Sequence, residues 1–180
     1  MSIEITNEER KILTILDPFL RQQSVVQRID PIAARVEQKL AEDAKGLLTF
    51  EPVPLEVYGK GLPEEIQSSW VFVLRANVTT GAERHPNSIQ RVMSYRGIGD
   101  LQMWDDESWH SHVLVSDFDA DIEKRWATVP INVWHKPVVP GANWVVVSFH
   151  TVPAEELIEE RPESADMKQT RQRRYLDQPQ

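Results

Sequence analysis

The sequence predicts a mostly β fold, a single small barrel or sandwich with a helical extension before it and a polar segment after it. Three observations carry this. Between residues 47 and 153, short runs rich in Val, Ile, Trp and Phe are separated by prolines and glycines, and helical periodicity is absent. Before residue 47, apolar residues recur at helical spacing instead. After residue 153 the chain is highly charged, with few large apolar side chains. At 180 residues this is one domain with appendages: a helical extension over 1–46, a β-domain over 47–153 and a polar, mobile segment over 154–180.

The elements follow in order. Thr6 to Glu9 fits a capping box, with Thr6 as N-cap and Glu9 reaching back. Ile12, Leu13, Ile15, Leu16 and Leu20 then form an apolar stripe, and Pro18 should kink or end that helix. Asp30-Pro31 reads as a second helix start, with Ile32, Val36 and Leu40 along one face. Both stripes would pack on the main domain or across a dimer interface. Residues 70–78, 90–95, 128–134 and 143–151 have strand composition. A short helix is expected over 154–160, with a mobile remainder.

Composition excludes several functions. There are no cysteines, so disulfides, thiolate metal sites and cysteine nucleophiles are ruled out, and a cytoplasmic location is expected. The net charge of −8 opposes nucleic-acid binding, which needs a basic surface. The first 23 residues carry charges throughout and read as neither a signal peptide nor a membrane span. No phosphate-cradling glycine loop, dinucleotide fingerprint or nucleophile elbow is present, so no nucleotide cofactor is expected.

The chemistry concentrates between Glu83 and Gly97, with a return at His135. On a strand, Glu83 and His85 share a face because residues two apart point the same way. Gln90 can start the next antiparallel strand and face them, and Gly97 suits the turn that ends it. His135 must come from another strand. Two imidazoles and a carboxylate form a set that suits Fe(II) with positions left open. The alternative is a site without metal, where the same residues hydrogen-bond one another or a ligand.

These residues resemble the cupin superfamily. Its first motif is His-x-His, three or four residues, Glu, six residues, Gly. Here it reads Glu83-x-His85, four residues, Gln90, six residues, Gly97. Its second motif includes Pro-x-Gly-x-x-His, and here it reads Pro130-x-Asn132-x-x-His135. The resemblance covers roughly residues 68–151. It implies a jelly-roll barrel, a divalent metal (Fe(II), Mn, Ni or Zn) held by Glu83, His85, Gln90 and His135, a small organic ligand and a homodimer. It implies oxygenase, isomerase or lyase chemistry, or a metal-free barrel that binds a small ligand. Glu83 and Gln90 depart from the usual letters, yet the four residues together still carry one negative charge.

Other candidates surround this set. Trp109-His110-Ser111-His112, with Asp117 following, is a rival metal pair without a correctly spaced glycine. Arg75, Arg91 and Arg96 lie in or beside strands, and an arginine inside a barrel would bind a substrate carboxylate through its planar fork. Arg75 and Arg91 are therefore candidate substrate-binding residues, together with His150 and with Trp104 at an aromatic barrel mouth.

Overall fold

The computed structural model describes residues 5–177. Helix α1 (Asn7–Phe19) begins at Thr6, whose hydroxyl accepts the Glu9 N–H. The other half of the capping box is not made, because the Glu9 carboxylate turns to Arg91 at 2.7 and 2.8 Å. Pro18 lies in the last turn and the helix ends one residue later. Helix α2 (Gln23–Glu42) starts well before Asp30 and runs through Pro31. A proline inside a helix costs about 3 kcal/mol. Val25, Ile29, Ile32, Ala33, Val36 and Leu40 are buried along this helix. At roughly 1.5–3 kcal/mol for each large apolar side chain, that stripe outweighs the proline.

The strands are β1 (Leu48–Val53), β2 (Ser68–Leu74), β3 (Val78–Thr79), β4 (Gln90–Arg96), β5 (Ile98–Trp104), β6 (Trp109–His110) and β7 (Val113–Val115). After the short α3 (Ile122–Arg125) come β8 (Trp126–Val129), β9 (His135–Val139), β10 (Trp144–His150), β11 (Ile158–Pro162) and β12 (Thr170–Arg174). One sheet has the order β1-β2-β10-β4-β8 and the other β3-β9-β5-β6, with β7 also on β5. Their pairings are antiparallel. Phe72, Val92 and Val146 of the first sheet share an apolar cluster with Leu101, Leu114 and Val139 of the second. The fold is thus a mostly β jelly-roll barrel with two N-terminal helices.

The first sheet is buried on both faces. Every residue of β2 and β10 is buried. Phe72, Leu74 and Val146 point into the barrel, whereas Val71, Val73, Val145 and Val147 meet Leu13, Leu16, Ile29 and Val36 of the helices. Two covered faces explain why these strands read as continuous apolar runs rather than alternating ones.

Some strand limits differ from the sequence reading. The segment 70–78 breaks after Leu74, where Asn77 takes a positive φ of 59°. The segment 128–134 breaks at Pro130, which lacks the N–H a ladder needs. Beyond residue 153 the structure has a 3-10 turn at Ala154–Glu156 and then the β11–β12 hairpin, not a helix over 154–160. Glu159 opposes Arg173 across that hairpin, so opposite charges support strands that have little apolar content.

Candidate metal centre

Glu83 and His135 lie directly opposite one another in a two-residue antiparallel bridge. Their backbones exchange both hydrogen bonds, at 2.8 and 2.9 Å. His85 shares the face of Glu83, while Arg84 between them points away, over the Trp134 ring and onto Glu160 at 2.8 Å. The expected turn positions take part. Asn132, where the family motif has glycine, sits at φ 65°, and its N–H donates to the His85 carbonyl at 3.1 Å. Asparagine is among the few non-glycine residues that adopt this left-handed conformation readily. Gly97 has φ 93°, and a Cβ there would lie 2.9 Å from the Asn143 carbonyl.

Glu83, His85 and His135 bring one potential ligand atom each within 4.8 Å of one another. All three are buried. The His85 Nδ1–H donates to the Ile158 carbonyl at 2.9 Å, which leaves the lone pair on Nε2. His135 Nδ1 lies 3.3 Å from the Val133 carbonyl, and its Nε2 is 3.6 Å from Glu83 Oε1, too far for a hydrogen bond. His85 Nε2, His135 Nε2 and Gln90 Oε1 are buried without a hydrogen-bond partner. Buried polar atoms are nearly always paired, so orphaned acceptors on His85 and His135, which cluster with Glu83, and on Gln90, which lines one chamber with Glu83 and His135, match a donor set for a cation. The residues present fit a divalent metal.

The chamber has a volume of about 30 Å³, and Glu83, Gln90, His135, Phe72, Val92 and Tyr175 are among its walls. That is room for an ion or a water-sized molecule. Burial alone would raise the Glu83 carboxyl, but the adjacent His135 ring and the charge of Arg161 hold it well below the usual range. Burial and the neighbouring His135 push His85 down to about 4. Burial, His85 and His135 also lower His150. The imidazoles of His85 and His150 are therefore neutral at pH 7, the form that binds metal.

The structure separates the remaining candidates. Gln90 opens β4 opposite His150 and lines the chamber. His150 is fully buried beside His85, with ring centroids 5.1 Å apart, and its Nδ1 is 3.2 Å from the Ser88 hydroxyl. Arg75 is outside the chamber. It donates to the Leu40 and Asp43 carbonyls at 2.6 Å and to Gly46 at 2.7 Å, closing the C-terminal end of α2. Arg91 alternates with the inward residues of β4 and therefore faces the helices, where it binds Glu9. Trp104 alternates with the inward Met103 and lies against Trp109 at 5.5 Å between centroids. Arg96 is an exposed partner of Asp30 and Glu37. In the rival pair, His110 binds Asp105 at 2.6 Å and His112 bonds the His110 carbonyl. Neither joins a three-ligand cluster among the described residues.

Sequence reasoning missed the hairpin's part in the site. Arg161 Nη2 holds Glu83 Oε2 at 2.8 Å, and Arg161 Nε binds Glu159 at 2.6 Å. Arg173 holds the other Glu159 oxygen at 2.7 Å. Burial, reinforced by the Glu83 charge, raises the Glu159 carboxyl. The legible signal was complementary charge, an acid-rich run at 155–163 facing a base-rich run at 168–174.

No protein-family model matches this sequence, and no curated protein matches it. Among solved structures, an oxalate oxidase bound to glycolate is 10% identical, with a TM-score of 0.47, over 61% of this chain and 53% of that one. CapF from Staphylococcus aureus is 12% identical, with a TM-score of 0.47, over 61% of this chain and 29% of its own. A pumpkin seed globulin is 15% identical, with a TM-score of 0.48, over 63% of this chain and 28% of its own. The chain spans about half or less of the length of these structures. The fold assignment rests on features of the chain itself. Two antiparallel sheets close a jelly-roll barrel, the turn residues Gly97 and Asn132 stand at motif positions, and Glu83, His85 and His135 converge inside it, which makes this a cupin-like barrel.

Proposed function

We propose that the protein is a metal-dependent enzyme acting on a small organic molecule. Glu83, His85 and His135 hold a divalent first-row metal, Fe(II) foremost, with Gln90 as a neutral oxygen donor beside them. The observation that carries this is the pair of buried imidazole Nε2 atoms, both without partners, facing one carboxylate. A two-histidine, one-carboxylate set leaves positions open, and the metal would supply Lewis acidity and a place for substrate and oxygen side by side. Oxygen insertion is the reaction this set suits best.

The chain's own residues do the rest. The Ile158 carbonyl fixes the His85 tautomer. Arg161 holds one Glu83 oxygen and so presents the other toward the imidazoles. Phe72, Val92 and Tyr175 exclude bulk water from the chamber.

Among the described residues no helix is long and apolar enough to cross a membrane. A cytoplasmic homodimer belongs to the same proposal. Supporting it are the cysteine-free composition and the exposed Ile98 and Val113 on neighbouring strands.

Elemental analysis before and after reconstitution tests the metal. About one equivalent per chain is expected, with uptake lost in His85→Ala. Protein that holds no metal and takes none up sinks the reading. A second reading, a metal-free barrel that binds a small ligand, draws on Arg161, which already neutralises Glu83. It requires that chelation leave the melting temperature unchanged while a ligand raises it.

A further inference from the structure

Outside the chamber lies a groove of about 610 Å³, formed by the end of α2, β1, Thr80-Gly81 and Arg161. Leu48 and Thr80 line both the groove and the chamber, so the two spaces share a wall. The chamber holds nothing larger than an ion or water-sized group. An organic body in the groove would reach inward past Leu48 and Thr80.

Arg161 connects the two spaces. Its Nε and Nη2 are committed to Glu159 and Glu83. Its Nη1 faces the groove beside Gly81, where an added Cβ would lie 3.6 Å from it. Among the described residues Nη1 has no hydrogen-bond partner, and the side chain is 34% exposed. Leu47, Leu48 and Phe50 give the groove an apolar wall. Its other end carries Glu42 and Asp43 together with Lys39, whose ammonium is 3.6 Å from Glu51 Oε2, so the two acids outnumber the one base there.

We propose that this groove binds a small organic monocarboxylate, with Arg161 Nη1 as the anchor, Leu47, Leu48 and Phe50 against its apolar body, and Glu42 and Asp43 rejecting a second carboxylate. The Nη1 N–H groups of a guanidinium give a carboxylate charge-assisted hydrogen bonds, which a neutral amide oxygen receives more weakly. A dicarboxylate would place its far charge against two acids, a repulsion that gives specificity. That the bound molecule is also the reacting substrate rests on the metal reading above, whereas its affinity for the groove does not.

The test is calorimetric titration with benzoate, benzamide and terephthalate, on the full chain with and without metal. Benzoate should bind, with benzamide and terephthalate each weaker by about tenfold or more. Arg161→Gln should weaken benzoate by about tenfold or more. Because Arg161 also holds Glu83, Gly81→Val is the second variant. Gly81 does not have positive φ, so the backbone tolerates valine, whose Cβ would have Arg161 Nη1 and no atom of Glu83 within 4 Å. It should lose benzoate binding and retain metal uptake. The proposal is overturned if wild type ignores benzoate at millimolar concentration, if benzamide binds as tightly, or if both variants bind benzoate like wild type. Benzoate binding without metal uptake keeps the groove and removes the metal reading, and metal uptake without benzoate binding does the reverse.

Discussion

The two sides of the first sheet bury polar groups in opposite ways. On the helix side, Asp17 is bound by Arg125 and by the Trp126 indole N–H at 2.8 Å, and Glu9 takes two bonds from Arg91 and one from Thr128. Among the described residues only Arg91 Nη1 is left over there. On the barrel side, His85, Gln90 and His135 each keep a buried acceptor without a partner. The same strands carry both arrangements, so the difference is not one of folding quality. Polar groups behind the sheet close on one another and fix how the helices dock. Those inside the barrel are left open, with one ligand atom each of His85, His135 and Glu83 within 4.8 Å of one another, which is what a site for a cation requires.

Removing one partner behind the sheet should have the largest effect on stability. Asp17→Ala strands Arg125, which is 4% exposed, and also the Trp126 N–H. A loss of roughly 3–5 kcal/mol in urea unfolding is expected, with metal uptake per folded chain unchanged. A loss near zero would show that the helix side is no more closed than the chamber.

The chamber should show itself through acid. His85 sits at about 4 when folded, against an ordinary value of 6.5. Between those values the unfolded chain binds a proton that the folded chain refuses, so stability falls as pH falls from about 6.5 to about 4. For metal-free protein the loss should approach roughly 3 kcal/mol, and His150 acts in the same direction. His85→Gln should flatten this slope. An unchanged slope would mean that His85 is not the neutral buried group described above.

The smallest effect belongs to Arg75. Because it serves the end carbonyls of α2, Arg75→Gln should cost about 1 kcal/mol by thermal unfolding and leave metal uptake intact. Loss of metal would return Arg75 to the site.

Much of this was legible because it depends on local chemistry. The turns at Gly97 and Asn132 need particular backbone angles, and spacing between them places Glu83, His85, Gln90 and His135 on inward faces. What was not legible depends on which neighbour covers a face. Arg91 and Gln90 are adjacent in one strand and differ only in side, and the sequence does not say that helices occupy one of them. Pro31 reads as a boundary until the buried stripe on both sides of it is counted. The hairpin was obscured for a related reason. Its strands are joined by cross-strand charge pairs, a pattern that in one dimension resembles solvated polar chain.

The hairpin also sets an order of assembly. The last proposed ligand, His135, is synthesised before residue 158, yet the carbonyl that orients His85 and the arginine that holds Glu83 come from Ile158 and Arg161. Chains emerge from the ribosome N-terminus first. A barrel could therefore gather its two imidazoles and its carboxylate while its mouth is still open. The chamber becomes a closed, oriented site only when the hairpin arrives, which makes completion of the centre one of the last events in the making of the molecule.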